Sequence, residues 1–192
     1  RAAPTVGACD HTGLSVNSET RTLDPGVYCG GLLISGSSTV TFNPGVYVIK
    51  DGALQVTHTA SVSGTHVGFY LTGTGSRFLF AGGSSVSLSA PKDGPMAGLL
   101  FFEDRSNAGG TRHEIVSENA RELVGTIYLP KGDFAVSSKQ PVADQSAYTA
   151  IIANSIQLHK YPRLVLNTNY HLTDVPVPSG LGSTGQGVVL TK

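Results

Sequence analysis

Apolar and small polar residues alternate along most of the chain, as in Leu54/Val56, Val67/Phe69/Leu71, Phe78/Phe80, Val86/Leu88 and Leu99/Phe101. The same alternation returns at Ile127/Leu129, Phe134/Val136, Ile156/Leu158 and Leu164/Leu166. A period of two turns successive side chains to opposite sides of an extended backbone, so each run predicts a short strand with one buried side. Gly, Ser, Asn or Pro punctuate the runs at intervals of about 8–12 residues, a spacing that suits a sandwich, a barrel or a β-solenoid. Helical periodicity is scarce. Ser117-Glu118-Asn119-Ala120-Arg121-Glu122-Leu123 is compatible with two helical turns and equally with a charged edge loop.

One internal repeat separates the three architectures. Leu23-Asp24-Pro25-Gly26-Val27-Tyr28 returns 19 residues later as Phe42-Asn43-Pro44-Gly45-Val46-Tyr47, with Pro-Gly-Val-Tyr identical. Each copy reads as a type II turn, with Pro25 or Pro44 fixing φ and Gly26 or Gly45 supplying a positive φ. If one repeat is one coil, the chain is a single all-β domain. It is then a parallel β-helix, or β-solenoid, with coils of about 19–20 residues over residues 1–174. From Val175, the residues Pro176, Pro178, Gly180, Gly182, Gly185 and Gly187 predict an extended tail over 175–192. Its apolar run Val188-Val189-Leu190 suits a late strand or docking on a partner.

Composition supports the absence of helix: 72 of the 192 residues are Gly, Ser, Thr or Pro. Thirteen basic and thirteen acidic residues cancel, which removes the electrostatic basis for binding nucleic acid or an anionic membrane surface. The longest apolar stretches, such as Gly98-Leu99-Leu100-Phe101-Phe102, are far too short to span a bilayer. With no initiating Met or signal peptide, the chain is expected to be an excised piece of a longer protein that carries its targeting segment elsewhere. Cys9 and Cys29 are the only cysteines and point to one disulfide in an oxidising compartment, with two buried thiols as the alternative. Their separation of 20 residues is about one coil, which would place them on neighbouring coils roughly 4.8 Å apart, within disulfide reach. A loop of that size contributes about 3 kcal/mol.

Most catalytic signatures fail residue by residue. Gly83-Ser84-Ser85-Val86 lacks the closing glycine of a nucleophile elbow, and Gly73-Thr74-Gly75-Ser76-Arg77-Phe78 has Phe where a dinucleotide loop needs Gly. His113-Glu114-Ile115-Val116-Ser117 ends in Ser where a zinc-protease helix needs a second His. One polar cluster remains: Glu103, Asp104 and Arg105, with His113 and Glu114 shortly behind. Such groups suit acid–base work on a polysaccharide or a calcium site, and equally a solvated turn that gathers charges excluded from the coils. Histidines 11, 58, 66, 113, 159 and 171 are scattered singly, so no metal and no cofactor is expected. Thr-x-Thr pairs at Thr39/Thr41, Thr57/Thr59 and Thr72/Thr74 raise ice binding, although a flat ice-binding face needs such pairs in register on every coil.

Several blocks together resemble the C-terminal region of TadE/TadG-like proteins of bacterial tight-adherence (Flp-type) pilus systems. They are Leu23 to Gly31, Phe42 to Ile49, Val86 to Pro91, Ala97 to Arg105 and Leu123 to Pro130. The resemblance covers roughly Cys9 to Leu166, and Pro-Gly-Val-Tyr-Cys-Gly-Gly is its most specific part. It implies a non-enzymatic, minor pilin-like protein that acts in pilus assembly or adhesion at the bacterial surface, in the periplasm or outside the cell. Its parent would be anchored by a membrane segment outside this chain. Its partners would be other pilus or envelope proteins and surface glycans. The family supplies no catalytic residues; Cys29 alone matches a motif position, with Cys9 its proposed partner. A polysaccharide lyase or hydrolase on the same solenoid, using the Glu103–Glu114 cluster, is the alternative, and ice binding a second one.

Overall fold

The computed structural model describes residues 2–159 and 162–181. Among these the strands are β1 (His11–Asn17), β2 (Thr20–Leu23), β3 (Gly26–Ser35), β4 (Thr39–Phe42), β5 (Gly45–Lys50), β6 (Ala53–Val56) and β7 (Ser61–Gly64). They continue as β8 (Val67–Thr72), β9 (Arg77–Phe80), β10 (Ser85–Ser89), β11 (Leu99–Glu103), β12 (Arg112–Ile115), β13 (Asn119–Val136) and β14 (Thr149–Leu158). All pairings between them are parallel. The stacking order defines three faces. The first holds β2, β4, β7, β10 and the start of β13. The second holds the starts of β1 and β3, then β5, β8, β11, the middle of β13 and the start of β14. The third holds the ends of β1 and β3, then β6, β9, β12 and the ends of β13 and β14. The protein is therefore a parallel β-solenoid of about seven coils.

Coil length departs from the expected 19–20 residues. Thr20 pairs with Thr39 at an offset of 19, but Thr39 pairs with Ser61 at 22, Ser61 with Ser85 at 24 and Ser85 with Asn119 at 34. The extra residues enter at corners, chiefly between β10 and β11 and between β11 and β12, where a loop grows without breaking the ladder. The strands stay paired from coil to coil, with short bulges in four pairings, so the core survives the drift in period.

The core is a set of stacked columns. On the second face Tyr28, Tyr47, Phe69 and Phe101 follow one per coil, with ring centroids 5.9, 5.4 and 5.3 Å apart. All four are buried, so each coil hands an aromatic surface to the next. This face is apolar on its outer side too, where Val27, Cys29, Val48, Tyr70, Met96, Leu99 and Phe102 form a second buried cluster. The Cys9–Cys29 disulfide, with Cα atoms 5.7 Å apart, ties the residues before β1 to that side.

The Pro-Gly-Val-Tyr repeat has a different physical basis from the expected pair of type II turns. Gly26 is not in the positive-φ region, and Gly45, at φ +142°, opens a strand instead of closing a turn. The repeat works by stacking. Tyr28 donates its hydroxyl hydrogen bond to the Asp24 carbonyl, and the Tyr47 hydroxyl lies 2.7 Å from the Asn43 carbonyl, so each Tyr returns to the residue that starts its own motif. Asn43 Nδ2 donates to Asp24 Oδ1 across the coils at 2.7 Å. Pro25 sits against Gly45, where a Cβ would stand 2.4 Å from its ring.

No helix forms over Ser117–Leu123. Ser117 is buried and donates to the Ser84 carbonyl, and β13 begins at Asn119. A bulge shifts the register between Asn119 and Glu122, so inward Ala120 and Leu123 fall three apart, a spacing that imitates a helix. Residues 175–181 carry no strand or helix, yet Val175 is buried and the Pro176 carbonyl accepts from the Tyr148 hydroxyl, so this segment packs back on the coils. Val188–Leu190 lie outside the described residues.

The Pro25–Gly45 contact separates two glycines that look equivalent. Gly45→Ala meets proline carbon in a backbone region L-residues avoid and is expected to cost about 2–3 kcal/mol. Gly26→Ala meets the Asp10 carboxylate, which accepts the Val27 N–H and would have to shift, and with no positive φ to strain is expected to cost about 1 kcal/mol. Urea denaturation of the two variants measures the difference, and equal losses would contradict the stacking account.

Candidate functional site

The five residues of the predicted polar cluster do not meet at one place. Strand alternation and the long corner after β11 divide them. Glu103 and His113 are inside, fully buried, with Glu103 Oε1 3.5 Å from His113 Nε2. Glu103 Oε2 accepts the backbone N–H groups of Lys131 and Gly132 at 2.9 and 2.8 Å, so the carboxylate closes the corner of the next coil. Gly132 is required there, since a Cβ would lie 2.5 Å from the His113 ring. His113 Nδ1 is buried with no hydrogen-bond partner. This pair is sealed from solvent and serves the fold.

The other three face outward in separate surroundings. Burial pushes the Asp104 carboxyl up, but hydrogen bonds from the Ser106 N–H, Thr72, Tyr70 and the Ser106 hydroxyl outweigh it and hold the group at about 2. Asp104 thereby ties β8 to the turn after β11. Arg105 lies over the rings of Phe102 and Tyr128, 5.1 and 5.2 Å from their centroids, and its Nε donates to the Tyr128 hydroxyl. A pocket of about 200 Å³ opens beside it, walled also by Leu99, Ile152 and Pro178. Glu114 is on the third face, where the hydrogen bond from Arg112 holds its carboxyl below the usual range; Arg112 also donates to Gln157. Glu103 and Asp104 are adjacent in sequence but face opposite sides of the wall, so they do not share a substrate. Among the described residues no three His, Cys, Asp or Glu side chains are arranged to hold a metal ion.

The first face carries a pattern that the spacing along the chain conceals. Thr20 and Thr22 stack on Thr39 and Thr41, these on Ser61 and Ser63, and these on Ser85 and Ser87. Val40, Phe42, Val62, Val86 and Leu88 occupy the intervening inward positions. Four coils thus present two parallel rows of hydroxyls, with neighbours roughly 4.8 Å apart between strands and about 6.7 Å apart along them. Of the three Thr-x-Thr pairs noted in the sequence, only Thr39/Thr41 belongs to this array; Thr57/Thr59 flank a corner and Thr72/Thr74 leave the end of β8. The signal that would have found the array is the hydroxyl-x-hydroxyl pattern with Thr and Ser treated alike.

Towards the C-terminal coils the rows pass Asn119, Arg121 and Glu122. Arg121 forms a two-pronged ion pair with Asp144, and Glu122 Oε2 accepts from Ser87 at 2.6 Å. Beyond them a cleft of about 670 Å³ lies between this face and residues 167–174, which return across the corner and are fastened by Asp174 to His66 at 3.1 Å. Comparisons with protein-family models, with curated proteins and with solved structures each find no match.

The low Asp104 carboxyl has a defined pH signature. A group depressed in the folded state stabilises above its unfolded value near 4 and loses that contribution as pH falls towards about 2. Asp104→Asn is therefore expected to lower stability at pH 7 by about 1 kcal/mol, allowing for solvent screening of a half-exposed group. The difference from wild type closes between about pH 4 and 2, as read by urea titrations across that window. A difference that stays constant with pH would rule the ionised carboxylate out.

Proposed function

We propose that the chain is a non-enzymatic recognition domain of an exported bacterial envelope protein, acting in pilus assembly or surface adhesion in the manner of the tight-adherence pilus proteins it resembles. The observation that carries this reading is the division of the acidic cluster: Glu103 and His113 are sealed in the core, while Asp104 and Glu114 are spent on Thr72, Ser106 and Arg112. A disulfide on the outer wall and a first face with in-register hydroxyl rows and few charges support it as well, since flat solenoid faces suit extended contacts. No helix among the described residues is long and apolar enough to cross a membrane.

Two measurements test it together. The tagged parent protein in its native cell is expected to co-fractionate with sheared pili or with the envelope, and deletion of these residues to abolish pilus display or attachment. Purified domain incubated with acidic and neutral polysaccharides, with and without calcium, is expected to release no reducing ends. Release that disappears in Asp104→Ala would overturn the reading in favour of an enzyme. The register of Thr20/Thr22, Thr39/Thr41, Ser61/Ser63 and Ser85/Ser87 favours a second reading, ice binding. A measurement of thermal hysteresis decides it, and a zero value removes it.

A further inference from the structure

The cleft between the first face and the returning segment offers hydrogen-bonding groups of one kind. Asn167 donates both amide hydrogens to the Asp144 and Ser146 carbonyls at 3.2 and 2.9 Å, which fixes the side chain and leaves its Oδ1 as an acceptor. The side-chain amides of Gln145 and Asn169 make no hydrogen bond to another described residue. Glu122 uses one carboxylate oxygen for Ser87 and keeps the other. Leu172, 66% exposed, stands on the wall as an uncovered apolar surface.

The charges around this cleft leave no cationic excess. Arg121 pairs with Asp144, the His66 ring is hydrogen-bonded to Asp174, and Lys92 and Arg163 act on Asp174 and Asp144 from further off, so three cations face the three carboxylates Glu122, Asp144 and Asp174. A phosphate or uronate would therefore meet as many carboxylates as cations, and its desolvation would go largely uncompensated. An alcohol, which donates and accepts at the same oxygen, matches amides and a half-used carboxylate without any change of charge. An apolar side chain beside these groups suits the C–H side of a sugar ring.

The volume of about 670 Å³ falls within the range of about 300–1,000 Å³ typical of ligand clefts. The cleft also continues. A smaller depression of about 220 Å³ over Ser61, Ser63, Ser85, Ser87 and Asn119 shares Glu122 and Gln145 with it, so the two form one track running along the solenoid axis. The track crosses β7, β10, β13 and the following coil, a length of roughly 15–20 Å. Such a length suits a polymer better than a single sugar.

We propose that this track binds a neutral polysaccharide, with Gln145, Asn167, Asn169 and Glu122 addressing its hydroxyls and Leu172 its apolar side. The assignment rests on the recognition reading above and specifies its ligand. Native gels cast with hydroxyethylcellulose, dextran or yeast mannan, with polygalacturonate as the anionic comparison, provide the test. Wild-type protein is expected to be retarded in at least one neutral gel and not by polygalacturonate. The double variant Gln145→Ala/Asn169→Ala is expected to weaken that retardation about tenfold, as is Leu172→Asp. Gln157→Ala, on the third face, leaves it unchanged. Gln145, Asn169 and Leu172 are exposed, and thermal melts establish that the variants fold. Free migration in all three neutral gels, preference for polygalacturonate, or retardation indifferent to the double variant would each overturn the assignment. A chain that still co-fractionates with pili while failing these gels retains the recognition role and loses only this ligand.

Discussion

In a parallel solenoid a strand finds its backbone partners on the coil before it and the coil after it. Each residue must therefore stand directly over the corresponding residue of its neighbour, and whatever lies inward on one coil is capped by whatever lies inward on the next. The Tyr47–Phe69–Phe101 column and the Asp24–Asn43 hydrogen bond are two results of that one requirement, while Tyr28, which stands over Ile49, meets the Tyr47 ring diagonally. It also explains where the protein tolerates change. Coil offsets range from 19 to 35 residues on the first face, yet the ladder persists because most additions fall at the corners and the rest are short bulges within strands.

The same constraint governs how much could be read from the chain. The repeat at Pro25 and Pro44 was legible because it lies among the early coils, where offsets run from 17 to 22 residues and Leu23 stands over Phe42 at 19, before the later corners lengthen. The solenoid and the Cys9–Cys29 link follow from it, and both are present. The hydroxyl rows were not legible, since Thr39, Ser61 and Ser85 are separated by unequal intervals and change from Thr to Ser midway. Ser117–Leu123 misled for a local reason: one bulged residue converts a two-residue period into a three-residue one. The acidic cluster misled for the opposite reason. Glu103, Asp104 and Arg105 are contiguous in sequence, but β11 ends at Glu103, whose side chain points into the core, and the chain turns outward at Asp104 and Arg105.

The three faces have consequently taken different burdens. The second is apolar on both sides and is covered outside by Met96 and its neighbours, so it contributes cohesion. The third exposes the Arg112, Glu114 and Gln157 network. The first is flat and largely uncharged over four coils and acquires amides and carboxylates only where residues 167–174 fold back over it. Proteins that recognise extended ligands need a long surface held in fixed geometry, and a stack of parallel coils supplies one.

The disulfide gives the molecule a mechanical polarity. Cys9 and Cys29 lock the first coil covalently, whereas the opposite end finishes on β14 with Ile156 and Leu158, residues of the inward columns, about half uncovered. Because each coil is held chiefly by its neighbours, tension along the chain peels coils one at a time from the weaker end. The returning segment that walls the cleft lies at that end, so a tether pulled through the C-terminus would dismantle the cleft while the locked coils stay wound.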